Sequence, residues 1–201
     1  MSASDIVTAA VANEVATDDM VARARRAPHD RLPFDPIDIA REKWAESGWT
    51  SAADGMAAVT SVMRAHQIML ALVETRLSPF KLSFARYEIL MLLLFSRSGA
   101  LPISVLGRRL QVHPTSVTGP LDRLERDGYA SRRPHPSDRR TTLAELTPAG
   151  RSTALSATEV LNREVFADLG TNTTTTRGIY DVLREFRVGQ GDFRDEVAAT
   201  T

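Results

Sequence analysis

Three short hydroxyl side chains, Thr115, Ser116 and Thr118, follow Pro114, a residue suited to the first position of a helix. Hydroxyls in that place have two uses. They can satisfy the unpaired amides of the first helical turn, or they can reach a partner that displays donors and acceptors in a pattern, as base-pair edges do in the major groove of DNA. Val117, interleaved among them, can pack inward against Leu106 and Leu110 and so turn the hydroxyls outward. Further along, Arg123 and Arg126 suit phosphates, with solvated surface as the competing reading. A second concentration of charge comes at Asp138-Arg139-Arg140, after the turn-rich Pro134-His135-Pro136-Ser137. Two adjacent guanidinium groups on a narrow tip suit a minor groove, whose negative potential attracts arginine.

These residues need elements to hold them. Ser104 can cap a helix carrying Leu106 and Leu110, with Gly107 small enough to admit a crossing helix. Pro114 then opens a second helix through Val117, Leu121 and Leu124 to a stop at Gly128. Two short helices joined by a tight turn make a helix-turn-helix. Residues 129–133 and 141–146 read as the strands of a β-hairpin with a basic tip. Upstream, Pro36 and the spacing of Ile37, Ala40 and Trp44 predict a short helix ending near Gly48. Ser51 is expected to cap a long helix to about Leu77, apolar at Met56, Val59, Met63, Leu70, Val73 and Leu77. Ser83 opens a helix to about Gly99, so apolar around Tyr87, Leu90 and Leu94 that it must be the hub of the core. Downstream, Thr147-Pro148 starts a helix to about Leu169, 171–176 reads as a polar linker, and 177–188 as a last helix with Ile179, Val182, Leu183 and Phe186 on one side. Those four need a partner surface that one protomer does not obviously supply.

Composition narrows the function further. The chain has 201 residues, 43% hydrophobic and 25% charged, in the range of a globular protein with one ordinary core. No uninterrupted apolar run has the length of a membrane span, and the N-terminus lacks the pattern of a secretory signal, so a cytoplasmic location is expected. Without cysteine there is no disulfide scaffold, thiolate metal site or thiol sensor. His29, His66, His113 and His135 are far apart and show no metal-ligand spacing, and no catalytic triad order, phosphate-binding glycine loop or paired carboxylates stand out. No metal, no cofactor and no enzymatic activity are therefore expected. Net charge is zero, but its distribution is not even: residues 1–96 carry 10 basic and 12 acidic side chains, 97–151 carry 10 and 5, and 152–201 carry 5 and 8. A basic middle between acidic ends suits a DNA-contacting module flanked by helices with another task, against chance clustering as the alternative.

In its middle the chain resembles the multiple-antibiotic-resistance regulator (MarR) family. The resemblance lies in Leu106-Gly107-Arg108-Arg109-Leu110, Pro114-Thr115-Ser116-Val117-Thr118, Leu121-Asp122-Arg123-Leu124-Glu125-Arg126-Asp127-Gly128, Asp138-Arg139-Arg140 and Leu146-Thr147-Pro148-Ala149-Gly150, in that order. It implies a mainly α fold with a small β-hairpin wing: a winged helix-turn-helix at about 84–147, between dimerisation helices at about 36–78 and 148–188. Residues 1–34 would be an arm and 189–201 a tail. It also implies a homodimer that represses transcription from a palindromic site on double-stranded DNA, with Thr115, Ser116 and Thr118 facing bases, Arg140 entering the minor groove, and Asp138 orienting the wing arginines by a salt bridge. A small aromatic or phenolic effector would settle near Trp44, Trp49, Met63, His66 and Met69, for which core or dimer packing is the competing reading. A winged helix that binds a protein in place of DNA is the alternative function.

Pro120 departs from the expected pattern. Inside the second helix it removes the amide that would bond the Ser116 carbonyl, at a cost of about 3 kcal/mol in an ordinary helix interior, so that helix is expected to bend. Pro120→Leu should keep or raise the thermal midpoint followed by circular dichroism. A clear loss would mean that the proline is built into the fold.

Overall fold

A helix with almost no polar face has to be surrounded, and α3 (Phe84–Leu94), with the sequence FARYEILMLLL, is the helix the others surround. The computed structural model describes residues 32–138 and 140–193. Ser83 caps α3 by accepting from the Arg86 amide, and Tyr87, Ile89, Leu90 and Leu93 are buried along it. Ahead of it lie α1 (Pro36–Glu46) and α2 (Thr50–Leu77), the latter closed by a 3-10 turn at Ser78–Phe80. After it come β1 (Ala100–Pro102), α4 (Ile103–Leu110), α5 (Pro114–Arg126), β2 (Ala130–Pro134), β3 (Thr142–Leu146) and α6 (Pro148–Leu161). A π turn, Asn162–Phe166, prolongs α6, and α7 (Thr173–Gly189) is the last element.

The architecture is mainly helical, with one antiparallel sheet of order β1-β3-β2. Ala144 sits in the middle strand opposite both Leu101 of β1 and Arg132 of β2. One core cluster takes Val73 and Leu77 from α2, four residues of α3, Leu106 of α4, Val117, Leu121 and Leu124 of α5, Ala144 of β3, and Ala154, Ala157 and Leu161 of α6. A polar contact, Tyr87 Oη to Thr158 Oγ1 at 2.9 Å, joins α3 to α6.

Several boundaries differ from the sequence reading, each for a local reason. Trp49, not Ser51, stands before α2 and no side chain caps that end; the Trp49 amide donates to the Trp44 carbonyl as the chain turns through Gly48 at φ 88°. Ser104 lies inside α4, because pairing of Pro102 with Leu143 carries β1 directly to the helix start. Helix α3 ends at Leu94, and Gly99, at φ 69°, belongs to the turn that leads into β1. The regular part of α6 stops at Leu161, short of the expected Leu169. The expected linker at 171–176 is helical from Thr173, since Asn172 accepts from the Thr175 amide and caps α7. Helix α5 spans Pro114–Arg126 with Pro120 inside it, so the proline does not divide the helix. The expected arm falls outside the described residues apart from 32–34, and so does most of the tail.

Two apolar faces are left uncovered among the described residues. Helix α2 buries Ala53, Val73 and Leu77, while Val59, Val62, Met63, Ile68, Met69 and Leu72 are exposed. By length and composition the segment Thr50–Phe80 is apolar enough to cross a membrane. On α7 no residue is buried, and Ile179, Tyr180, Val182 and Phe186 face water.

The junction between α5, the hairpin and α6 is tightly specified. Gly128, at φ 75°, ends α5, and its carbonyl accepts from Thr147 Oγ1 at 2.7 Å. The same hydroxyl oxygen accepts from the Gly150 amide at 2.9 Å and so caps α6. Gly150 passes so close to the Tyr129 backbone that a Cβ there would lie 1.9 Å from the Tyr129 carbonyl oxygen. Gly150→Ala should therefore cost at least the upper end of the roughly 1–3 kcal/mol typical of overpacking. Urea unfolding of the variant checks this, and a loss under about 0.5 kcal/mol, the scatter of an ordinary surface change, would refute the tight approach.

Candidate nucleic-acid interface

Helix α5 is fixed by its apolar face and leaves its polar one exposed. Val117, Leu121 and Leu124 are completely or almost completely buried, against a cluster that includes Leu106 and the partly buried Leu110. The opposite face then has no choice but water. Thr115, Ser116 and Thr118 are all exposed at the start of the helix, and Arg123 and Arg126 are exposed further along. Pro114 occupies the first helical position, as expected. The turn before it is tight: Gln111 adopts a left-handed conformation at φ 56°, and the Val112 amide donates to the Gly107 carbonyl at 3.0 Å.

The residue that caps α5 was not among those singled out from the sequence. His113 is the N-cap, its Nδ1 accepting from the Thr115 amide at 3.3 Å and lying 2.7 Å from Thr115 Oγ1. Histidine is not one of the common capping residues. The signal was nonetheless present, because Nδ1 is as many bonds from the backbone as the side-chain oxygen of asparagine, a preferred cap.

The hairpin is tied to this helix by charge. Arg132 of β2 reaches Asp122 of α5 at 2.6 Å and also pairs with Glu125 one turn later. Arg133 meets Glu145 at 2.7 Å across the two hairpin strands. Arg86 of α3 pairs with Asp127 at the other end of α5, at 3.3 Å. Partial burial holds the Arg86 guanidinium below its usual range, and Asp127 works against that shift.

At the tip the Asp138 carboxylate orders the turn through local hydrogen bonds. It accepts from the Arg140 amide at 3.0 Å and from Thr141 Oγ1 at 2.6 Å, while the Thr141 amide returns to the Asp138 carbonyl. The carboxylate thus forms an Asx turn, and the Arg140 side chain is exposed. Arg139 lies outside the described residues.

The residues considered for an effector sit elsewhere. Trp44 on α1, Trp49 in the turn before α2, and Met63, His66 and Met69 on α2 are all exposed, so none is core within the chain. Trp44 and Trp49 meet edge to face with ring centroids 5.2 Å apart. Among the described residues no group of His, Asp and Glu has the arrangement of a metal site.

Comparison with known proteins agrees with this geometry. A family model described as "MarR family" matches residues 82–142. Over 71 residues the chain is 41% identical to the HTH-type transcriptional repressor YetL of Bacillus subtilis (strain 168), a match covering 35% of this chain and 42% of that protein. The solved structure of Sco5413, a MarR family transcriptional regulator from Streptomyces coelicolor, superposes with a TM-score of 0.65 at 46% identity, covering 71% of this chain and 99% of that one. Sco3205, a MarR family transcriptional regulator from the same organism crystallised in complex with DNA, superposes with a TM-score of 0.59 at 20% identity, over 68% of this chain and 88% of that one.

The Asp138 turn has a defined pH response. The Thr141 hydroxyl, then the Arg140 amide, hold the carboxyl below its ordinary value of 3.8. A depressed value means the turn contributes fully above the ordinary value and is lost only as pH falls through the lower folded one. Titration of the Asp138 carboxyl by NMR should give a midpoint below 3.8 in the wild type and one nearer 3.8 in Thr141→Val.

Proposed function

The chain belongs to the MarR family of transcriptional regulators, and from that premise we propose that it binds a palindromic site on double-stranded DNA as a homodimer and represses transcription there. The observation that carries the reading is the pairing of two exposed elements on one packed module. Thr115, Ser116 and Thr118 stand at the free end of a helix whose apolar side is locked in the core, and Arg140 stands exposed on a turn ordered by Asp138. In this assignment the three hydroxyls meet base edges in the major groove, Arg123 and Arg126 meet phosphates, and Arg140, with Arg139 beside it in sequence, meets the minor groove.

Dimerisation is supported by the apolar faces of α2 and α7, which no element among the described residues covers and which a second copy would bury together. Repression is supported by the name of the Bacillus relative. Trp44 and His66, with neighbouring Trp49, Met63 and Met69, stand on the same helices, where a small aromatic or phenolic effector would sit between dimer helices and DNA-binding module. A DNA-binding regulator of this kind works in the cytoplasm and needs no catalytic residue.

Fluorescence anisotropy with the chain's own upstream DNA, run across a salt series, tests the reading. The wild type should bind far better than to a random duplex of equal length, with a steep salt dependence. Arg140→Ala should weaken binding and lower the slope of log K against log salt by about one. Sedimentation of the same preparation should give twice the 22.1 kDa chain mass. Equal affinity of both proteins for every duplex would sink the proposal and favour a protein partner.

A further inference from the structure

We infer that His113 is a specificity-determining positioning residue: its imidazole fixes the Thr115 hydroxyl as a hydrogen-bond acceptor toward DNA, so that this position selects a base offering an amino group. The inference rests on the DNA-reading role proposed for α5 and adds a preferred chemistry at one of its contacts.

The argument follows from counting protons at one nitrogen. An imidazole Nδ1 carries either a proton or an in-plane lone pair. The Thr115 amide can only donate, and it points at His113 Nδ1 from 3.3 Å. Nδ1 therefore bears the lone pair, and the ring proton is on Nε2. Thr115 Oγ1 lies 2.7 Å from that same unprotonated nitrogen. Facing it, a hydroxyl can only donate.

Its single proton is thus used within the protein, and the oxygen shows only lone pairs to the outside. A threonine that rotates freely offers either a donor or an acceptor and tolerates any base. Here one contact removes the ambivalence. The ring itself is held on a fixed backbone, with His113 at φ −60°, ψ 141° and its carbonyl accepting from the Ser116 amide at 2.8 Å. In the major groove only adenine N6 and cytosine N4 are donors, whereas guanine and thymine present acceptors. Thr115 should therefore favour adenine or cytosine on the strand it contacts.

The test is selection of the full chain at pH 8 from a random duplex library, followed by competition among single-pair variants of the selected duplex. Thr115→Val removes the hydroxyl without changing the shape of the side chain, so the pair at which it alone flattens preference is the pair Thr115 reads. At that pair the wild type should favour both pairs that put adenine or cytosine on one strand over both that put guanine or thymine there, by about three- to tenfold, the effect of one neutral hydrogen bond. His113→Ala, which frees the hydroxyl to rotate, should reduce the preference to under about twofold there and leave other positions unchanged. His113→Asn, which restores an acceptor at the same reach, should recover it.

Three results would overturn the inference while leaving DNA binding intact: a preference at the marked pair that follows purine against pyrimidine or A·T against G·C, no pair that responds to Thr115→Val, or His113→Ala weakening all sequences equally with the preference unchanged. A wild type that selects no sequence would overturn the DNA-reading proposal itself, and this inference with it.

Discussion

Burial of Val117, Leu121 and Leu124 is the constraint on which the rest of the site depends. The three residues recur at steps of four and three, lie on one face of α5 and are excluded from water. Emptying one such leucine position typically costs about 2–5 kcal/mol. Rotation of the helix about its axis is therefore not a soft coordinate. With the apolar face pinned against α3 and α4, the hydroxyls at 115, 116 and 118 are carried to the outside, and the first turn ends up where a partner can reach it. Specific recognition begins with the packing of side chains that touch no partner.

Holding the hairpin in register with that helix needs a different kind of interaction. Arg132, with its side chain about a quarter exposed, bridges Asp122 and Glu125, and exposed or half-exposed pairs of this type are worth about 0–1 kcal/mol each. Their importance lies in geometry. A bridging guanidinium is planar and sets the orientation of β2 relative to α5, while the Thr147 hydroxyl and the absent side chain of Gly150 fix where α6 leaves the hairpin. Stability comes from the leucines, and the relative placement of helix and wing from a few polar contacts that add little to it.

Much of this was legible from residues alone, because the decisive signals are local. Pro114 marked a helix start, Gly128 a stop, Thr147-Pro148 another start, and the apolar spacing named the buried face of α5 correctly. Errors gathered at caps and linkers, where the tertiary path decides. Ser51 and Ser104 have the right chemistry for caps, yet the chain enters α2 through a backbone bond from Trp49 and enters α4 directly from a strand. The role of His113 escaped notice because capping preferences are statements about frequency, and a histidine earns the position only through where Nδ1 falls relative to the Thr115 amide. The Asp138 carboxylate meets an amide and a hydroxyl within three residues, contacts set by the turn conformation and not by composition.

The uncovered apolar surface connects the two ends of the molecule to its middle. Val59, Val62, Met63, Ile68, Met69 and Leu72 are exposed, yet Val73 and Leu77 of the same helix lie in the core shared by α3 and α5. A bilayer is a poor occupant for such a helix: its C-terminal turns are already packed in protein, Arg76 is paired with Glu164 of the π turn, and Arg64, His66 and Gln67 interrupt the exposed stretch. A second copy, the occupant proposed above, would meet the same surface without pulling Val73 and Leu77 out of the core. In that assembly α2 is a member of both structures at once, dimer contact in one half and core helix in the other. Whatever shifts its exposed half must either bend a continuous helix or move Leu77, and through the shared core the helix that carries Thr115. The fold thus links the exposed half of α2 to α5 through packed contacts, since Val73 and Leu77 share one core cluster with Val117, Leu121 and Leu124.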